Sequence, residues 1–176
     1  MAKILVTISN GFEEIEAVSI IDICRRAGIE VVTAGVEDRV LIGAHSIKIE
    51  MDKRVDEVNS SDFDMIVLPG GLPNAFTLAD DNDVQRLLKE FEEKNKKIGA
   101  ICAAPYALHK AGVLNQNYTC YPSFEKKIKD DGYQDDKNVV TDNNVITLRG
   151  PATAIDFALE IVKTLKGDDT YFQAKT

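Results

Sequence analysis

One cysteine has sequence neighbours that favour nucleophilic chemistry. Residues 97–101 form a short apolar run, and Cys102 follows it, flanked by Ala100 and Ala104 and preceding Pro105. A nucleophile on a tight turn from a strand into a helix needs small residues two positions before and after it, and the two alanines meet that requirement. The start of a helix also favours a thiolate. We therefore predict a reactive Cys102 thiol with a lowered pKa; the alternative is a buried core cysteine.

Glu16 is the predicted partner of this thiol. It comes in the first turn after the first predicted strand, and the carboxyl ends of parallel strands meet at one edge of a sheet. A carboxyl held beside apolar surface and a thiolate has a raised pKa, so it would stay protonated and donate to the sulfur or relay a proton. The alternative is that Glu16 only offsets the helix dipole, together with Glu13 and Glu14.

The two histidines are poorly placed to act as the base. His109 lies seven residues after Cys102 on the same predicted helix, which puts it about 10 Å away along the helix axis. His45 falls in the least regular part of the sequence and is predicted to lie on the surface. A cysteine protease or amidotransferase needs a histidine beside its nucleophile, so these classes are disfavoured.

The remaining cysteines are predicted to be structural. Cys24 lies on the apolar stripe of the first predicted helix, where a core role is expected. Cys120 ends a short predicted strand and is expected to be a core residue or an incidental redox-active thiol. Three cysteines and two histidines without metal-ligand spacing predict neither a disulfide framework nor a metal site, and no cofactor is expected.

Alternating strand and helix patterns must position these residues. Buried strands are predicted at residues 3–8, 29–34, 65–68 and 97–101, a brief strand at 118–121, a hairpin at 139–141 and 145–148, and an extended or hairpin segment at 47–51. Helices are predicted between Glu13 and Gly28, through 84–91 to Asn95, over 103–111, and from Pro151 to Gly167. This alternation predicts an α/β sandwich with a mainly parallel sheet. Residues 11–16, 69–71 and Cys102 should then converge at one sheet edge.

Composition excludes several classes of partner. The 29 acidic and 21 basic residues give a net charge of −8, which repels phosphate backbones, so no nucleic-acid binding is expected. No apolar run approaches the ~18 residues that cross a membrane. No charged leader precedes the first predicted strand, so we expect a cytoplasmic protein without a membrane partner. The length of 176 residues predicts a single domain, residues 1–176.

Four motifs resemble the ThiJ/PfpI superfamily, in the branch of the Parkinson-disease protein deglycase. They are Gly11-Phe12-Glu13-Glu14-Ile15-Glu16, Leu68-Pro69-Gly70-Gly71, Ala100-Ile101-Cys102-Ala103-Ala104-Pro105 and Leu148-Arg149-Gly150-Pro151. The resemblance implies a flavodoxin-like three-layer sandwich and a homodimer. It also implies that Cys102 is a redox-sensitive nucleophile and Glu16 its protonated partner.

Further roles follow from the same resemblance. The backbone N–H groups of Gly71 and Ala103 would stabilise an oxyanion, with Gly70 and Tyr121 as supporting residues. The protease-like branch has histidine where this sequence has Ala103, which argues against peptidase activity. The human-like members have histidine where this sequence has Tyr121, so proton transfer would fall to Glu16, water or Tyr121.

The resemblance implies two classes of function. The first is a thiol enzyme of carbonyl stress defence: a glyoxalase that converts methylglyoxal without glutathione, or a deglycase of early glycation adducts. The second is a redox sensor or redox-dependent chaperone in which oxidation of the same cysteine is the signal. The leading hypothesis is the enzyme, with a small dicarbonyl compound or its adduct as substrate.

Overall fold

The short apolar runs form the strands of a mainly parallel sheet in the computed structural model, which describes residues 1–128 and 131–176. The strands are β1 Lys3–Ile8, β2 Glu30–Gly35, β3 Val40–Ile42, β4 Lys48–Glu50, β5 Lys53–Arg54, β6 Met65–Leu68, β7 Lys97–Ile101, β8 Val139–Asp142 and β9 Val145–Leu148. Seven of them pair in the order β5-β2-β1-β6-β7-β9-β8, and β3 and β4 form a separate antiparallel hairpin. Within the larger sheet, only the β8-β9 pair is antiparallel.

Helices cover both faces of this sheet. They are α1 Glu14–Arg26, α2 Asn74–Asp80, α3 Asn82–Glu93, α4 Pro105–Ala111, α5 Glu125–Ile128, α6 Ala154–Lys166 and α7 Asp168–Lys175. Helices α1 and α6 pack on one apolar cluster, whereas α2, α3 and α4 pack on another. The predicted three-layer, flavodoxin-like sandwich is confirmed. No helix in the described part of the chain is both long and apolar enough to cross a bilayer.

The sequence patterns predicted most elements, with two kinds of error. Helices α2, α5 and α7 and the two-residue strand β5 were not predicted. Helix α2 ends at Asp80 because Asp81 caps the next helix by accepting from the Val84 N–H. The predicted strand at 118–121 is wrong, since only Tyr118 forms an isolated bridge, with Tyr133. The segment around 47–51 contains β4, the second strand of the β3-β4 hairpin, so the hairpin prediction for this segment is confirmed.

Helix α1 is rotated relative to its predicted apolar face. Ile15 is 59% exposed and Val18 47% exposed, although both were expected to be buried. The buried residues of α1 are Glu14, Glu16, Ala17, Ile20 and Cys24, so Cys24 alone of the predicted face is fully buried. This rotation turns Glu16 towards the carboxyl edge of the sheet and leaves two apolar side chains in solvent.

Helix α6 departs from its predicted face only at its first turn. Ile155 is 59% exposed, whereas Ala158, Leu159 and Val162 are buried. Leu165 is half-buried against the same cluster. Helix α6 therefore covers the sheet with α1, apart from the apolar side chain at its beginning.

Candidate active site

Cys102 lies on a strained turn between β7 and α4. Its φ angle is +65°, a left-handed conformation that costs a non-glycine residue about 1–2 kcal/mol. The Cys102 N–H donates to the Leu148 carbonyl at 2.9 Å, and the Cys102 carbonyl accepts from the Tyr121 N–H at 2.8 Å. Ala100 and Ala104 are fully buried on either side. The predicted tight turn from strand to helix at Cys102 is confirmed.

Gly70 brings the Glu16 carboxyl to this turn. The Gly70 N–H donates to Glu16 Oε2 at 2.7 Å. A Cβ atom on residue 70 would stand 2.6 Å from the Cys102 Cβ and 2.7 Å from Glu16 Oε2, closer than real Cβ contacts allow. A residue without a side chain is therefore required between the thiol and the carboxyl, which is why the Pro-Gly-Gly motif stands at the end of β6.

The second oxygen of Glu16 is the natural carrier of a proton. Glu16 is fully buried, and its Oε1 atom has no hydrogen-bond partner of ordinary geometry among the described residues. The pKa of Glu16 is raised to about 7, mainly by burial and to a smaller extent by the Glu13 charge. The hydrogen bonds with the Gly70 N–H and the Cys102 thiol lower this pKa and so offset part of the effect. Because Oε2 already accepts from Gly70, the protonated form of Glu16 carries its hydrogen on Oε1.

The thiol itself departs from prediction. Burial raises the pKa of Cys102, and both the Glu16 charge and its hydrogen bond raise it further, whereas the N–H groups of Ala103 and Gly71 lower it. The predicted lowering of this pKa is therefore wrong. The physical reason is that only 8% of Cys102 is exposed and α4 begins three residues later, at Pro105. A thiolate is favoured here only while Glu16 keeps its proton.

Two loops interlock beneath the pair. Gly71 has a φ angle of +95°, and a Cβ atom there would stand 2.4 Å from both the Glu13 amide nitrogen and the Gly11 carbonyl oxygen. The Glu13 N–H donates to the Gly70 carbonyl at 2.9 Å. The predicted convergence of residues 11–16, 69–71 and Cys102 is confirmed.

Asn74 supports this arrangement and was missed from the sequence. Its side chain is fully buried; it donates to the Pro69 and Gly70 carbonyls at 2.8 and 2.9 Å and accepts from the Ser9 N–H at 2.8 Å. It thus fixes the end of β6 to the end of β1. The sequence feature that could have identified Asn74 is its position as a polar residue three places after Gly71.

Tyr121 lines a cavity and is hydrogen-bonded to Cys102 through its backbone. Its side chain is 47% exposed, and its ring lies 3.4 Å from where a Cβ atom of Gly150 would be. The cavity has a volume of about 480 Å³ and is lined by Tyr121, Asn138, Arg149, Gly150 and Asp156 among others, but not by Cys102. In the motif Leu148-Arg149-Gly150-Pro151, the first residue accepts a hydrogen bond from the Cys102 N–H, and the other three line the cavity.

His45 lies on the surface, as predicted, but it has a specific partner. The Nδ1 atom of His45 is 2.9 Å from Glu14 Oε2 and 3.8 Å from Glu13 Oε1. The backbone N–H of His45 donates to Glu14 Oε1 at 2.7 Å. The hydrogen bond with Glu14 and the charges of both glutamates raise the pKa of His45. Of the described residues, these three alone bring ligand atoms within the 4.8 Å expected around a metal ion. Since both Glu14 oxygens already accept hydrogen bonds, we interpret the cluster as an ion pair that fastens the β3-β4 hairpin to α1.

The other sequence candidates are two cysteines and a histidine. Cys24 and Cys120 are fully buried, and burial raises the pKa of each thiol to about 12. This confirms the predicted core position of Cys24 and favours the same role for Cys120. His109 is exposed in the last turn of α4.

Comparison with known proteins gives consistent matches. The DJ-1/PfpI family matches residues 2–164 of the chain. The chain is 40% identical over 168 residues to the protein dj-1beta of Drosophila melanogaster, which covers 94% of this chain and 90% of that protein. It is 37% identical over 158 residues to a Caenorhabditis elegans protein named glutathione-independent glyoxalase DJR-1.2, with coverage of 89% and 84%. The solved structure of oxidized Toxoplasma gondii DJ-1 has a TM-score of 0.94 at 34% identity, covering 99% of this chain and 96% of that one.

Proposed function

This chain belongs to the DJ-1/PfpI family, and from that premise we propose that it is a cysteine-dependent, glutathione-independent glyoxalase that also removes early glycation adducts. The observation that carries the proposal is the buried Glu16 carboxyl held against Cys102 by the Gly70 N–H. The similarity to the Caenorhabditis elegans protein named a glyoxalase supports the same activity.

The first step forms a bond between sulfur and carbon. The Cys102 sulfur attacks the aldehyde carbon of methylglyoxal, and the carbonyl electron pair moves to oxygen. The backbone N–H groups of Gly71 and Ala103, which already interact with the sulfur, serve as donors to the developing oxyanion. Protonation of that oxygen gives a hemithioacetal.

The second step moves a proton within the bound substrate. The hydrogen on the former aldehyde carbon leaves as a proton and is delivered to the neighbouring carbon. The hydroxyl proton moves to the ketone oxygen, and these two transfers convert the hemithioacetal into a lactoyl thioester. Glu16 is suited to carry the proton between the two carbons because its pKa is raised to about 7, close to neutral pH. Water then cleaves the thioester, releasing lactate and restoring the thiol.

Lactate formation from methylglyoxal by the purified protein tests this function. We expect turnover by the wild-type protein, a loss of at least about 100-fold in Cys102→Ser, and a loss of about 100- to 10,000-fold in Glu16→Gln, the range expected for a general acid or base. The matched control is Cys24→Ala, which removes a thiol that lies on α1. Lactate production that survives in Cys102→Ser would overturn the proposal.

Deglycase activity follows from the same chemistry. An early adduct of methylglyoxal with an amine or thiol presents a carbon that carries a hydroxyl group and the amine nitrogen or thiol sulfur. If Cys102 displaces that nitrogen or sulfur, the amine or thiol is released and the substrate reaches the same hemithioacetal. We therefore propose that free dicarbonyl compounds and their adducts share one reaction path after the first bond to sulfur.

A redox sensor or redox-dependent chaperone is the second candidate. Of the three cysteines, all within the described residues, Cys102 alone has measurable exposure. Glu16 and the N–H groups of Gly71 and Ala103 surround its sulfur, and such donors stabilise the oxygens of a sulfinate. Absence of lactate formation combined with selective Cys102 oxidation would favour this candidate.

We also propose that the protein is a homodimer. Exposed apolar side chains occur on α1, at Ile15 and Val18, and on the β3-β4 hairpin, at Val40 and Ile42. The hairpin lies against the beginning of α1, because the Ala44 N–H donates to the Phe12 carbonyl at 2.9 Å. A clustered apolar surface of this kind is typical of a protein interface.

A further inference from the structure

The cavity beside Tyr121 is connected to the nucleophile through the backbone. Leu148, which accepts from the Cys102 N–H, is followed directly by the cavity residues Arg149 and Gly150. Tyr121, which donates its N–H to the Cys102 carbonyl, also lines the cavity. Two segments that line the cavity are therefore hydrogen-bonded to the backbone of Cys102, which places the cavity beside the turn that carries the thiol.

The cavity is larger than the smallest proposed substrate requires. Its volume is about 480 Å³, within the range of ~300–1,000 Å³ that holds drug-sized ligands. Methylglyoxal has five heavy atoms and would leave most of this space empty. The cavity thus suits a substrate with a substantial part beyond the reacting dicarbonyl group.

Arg149 gives the cavity a cation with free donors. Within the described residues, its guanidinium donates only to the Asp135 carbonyl and makes no ion pair. A guanidinium has five N–H donors in a planar fork that matches a carboxylate. The beginning of α6, a 13-residue helix that starts at Ala154, adds partial positive charge beside the cavity.

Asp156 opposes this preference. It is exposed in the first turn of α6, lines the same cavity, and has no ion-pair partner among the described residues. Its charge repels an anion, and it offsets part of the positive charge at the beginning of the helix. The two residues therefore act on an anionic ligand with opposite signs.

We propose that Arg149 is a specificity-determining residue that selects substrates whose non-reacting part carries a carboxylate. This inference rests on the proposed function of Cys102 and names the substrate class within it. The reacting dicarbonyl group lies at Cys102, the middle of the substrate passes Tyr121, and the carboxylate binds the free donors of Arg149.

A pair of substrates of equal size tests this preference. 4-Carboxyphenylglyoxal and 4-carbamoylphenylglyoxal differ in the charge of one terminal group, and their products are the corresponding mandelic acids. We expect the wild-type protein to favour the carboxylate by about tenfold in kcat/KM, as measured from initial rates. A ratio near one in the wild-type protein would overturn the proposal.

Two variants with opposite expected effects make the test specific. Arg149→Gln should bring the carboxylate-to-amide ratio of kcat/KM below about twofold. Arg149→Lys should retain part of the preference, because lysine has the positive charge but lacks the planar pair of N–H donors. Asp156→Asn should increase the ratio about threefold. The ratio is taken within each variant, so a general loss of activity does not affect it. An unchanged ratio in both Arg149→Gln and Asp156→Asn would contradict the proposal.

Binding of the products separates this inference from the proposed chemistry. The carboxylate and amide forms of the mandelic acid product need no turnover, and calorimetry with the Cys102→Ser variant measures their affinities directly. We expect the same tenfold preference, lost when Arg149→Gln is combined with Cys102→Ser. If neither substrate is turned over yet this binding preference holds, the proposed enzyme function fails and the Arg149 assignment stands. Equal affinities for the two products would refute the assignment.

Discussion

The backbone of Gly70 lies so close to Cys102 that a Cβ atom on residue 70 would stand 2.6 Å from the Cys102 Cβ. The same Cβ atom would be 2.7 Å from Glu16 Oε2, so any side chain at residue 70 would clash with both Cys102 and Glu16. The contact between the two side chains therefore depends on a residue that takes no part in the reaction.

Gly70→Ala should damage the site more than it damages the fold. The added methyl group must push Cys102 and Glu16 apart, so we expect a loss of lactate formation of at least tenfold and a destabilisation of about 1–3 kcal/mol from overpacking. Activity assays and urea unfolding measure the two effects. The matched control is Gly99→Ala, where the added Cβ would stand 2.8 Å from Met65 Cε and 2.9 Å from Phe157 Cζ in the core; it should lower stability with less effect on activity. Activity equal to wild type in Gly70→Ala would show that the spacing is unimportant.

Glu16→Gln and Glu16→Leu should differ in the pKa of Cys102. Both remove the negative charge, but only the glutamine amide keeps a donor that can reach the sulfur. A hydrogen bond to a charged group contributes about 1.5–3 kcal/mol, so we expect the Cys102 pKa to be about 1–2 units lower in Glu16→Gln than in Glu16→Leu. Thiolate absorbance followed against pH measures the difference, with Cys102→Ser as the blank. Equal Cys102 pKa values in the two variants would contradict a role of Glu16 as hydrogen-bond donor to the sulfur.

Glu16 should also make the stability of the protein depend on pH. Its pKa rises from 4.5 to about 7 on folding, so between these values the native state binds more protons than the unfolded state. The free energy of unfolding contributed by Glu16 is therefore greatest below pH 4.5 and falls as the pH rises through 7, by about 3 kcal/mol in total. Urea unfolding of wild type and Glu16→Gln across this range should show the variant gaining that amount relative to wild type. Parallel stability curves would contradict the raised pKa.

Dilute hydrogen peroxide should oxidise Cys102 before the other thiols. Cys102 is 8% exposed, whereas Cys24 and Cys120 are fully buried. Two equivalents of peroxide convert the thiolate to a sulfinate and are reduced to water. Peptide mass mapping should find two added oxygens at Cys102 first. Earlier modification of Cys24 or Cys120 would count against its assignment as the redox-sensitive residue.

The apolar surface on α1 and the hairpin should hold two copies of the chain together. We expect light scattering to give twice the chain mass of 19.4 kDa at micromolar concentration. Ile15→Glu introduces a charge at a residue that is 59% exposed, and it should shift the population to monomer. Phe172→Glu, at a 63% exposed site on α7, is the matched control and should remain dimeric. A monomeric wild-type protein would exclude the dimer.

Local sequence patterns determined much of the architecture. Apolar runs of four to six residues such as Met65–Leu68 and Lys3–Ile8 are buried strands, because a central parallel strand is covered on both faces. The alanines around Cys102 determined its turn, since only small side chains fit there. Parallel pairing then brought Glu16, Gly70 and Cys102 to one edge, a consequence of topology that the order of the elements already contained.

Tertiary packing decided the features that depend on exclusion of water. Ile15 is exposed, although the apolar pattern predicted its burial, because the rotation of α1 is set by its contacts with the sheet and α6. The pKa of Cys102 is raised because surrounding elements bury the sulfur, an effect stronger than the local N–H groups from which a lowered pKa was predicted. The cavity beside Tyr121 likewise forms where three separate segments meet, around residues 121–122, 138 and 149–156. Sequence neighbours determine local conformation, whereas solvent access and charge environment are set by residues distant in the chain.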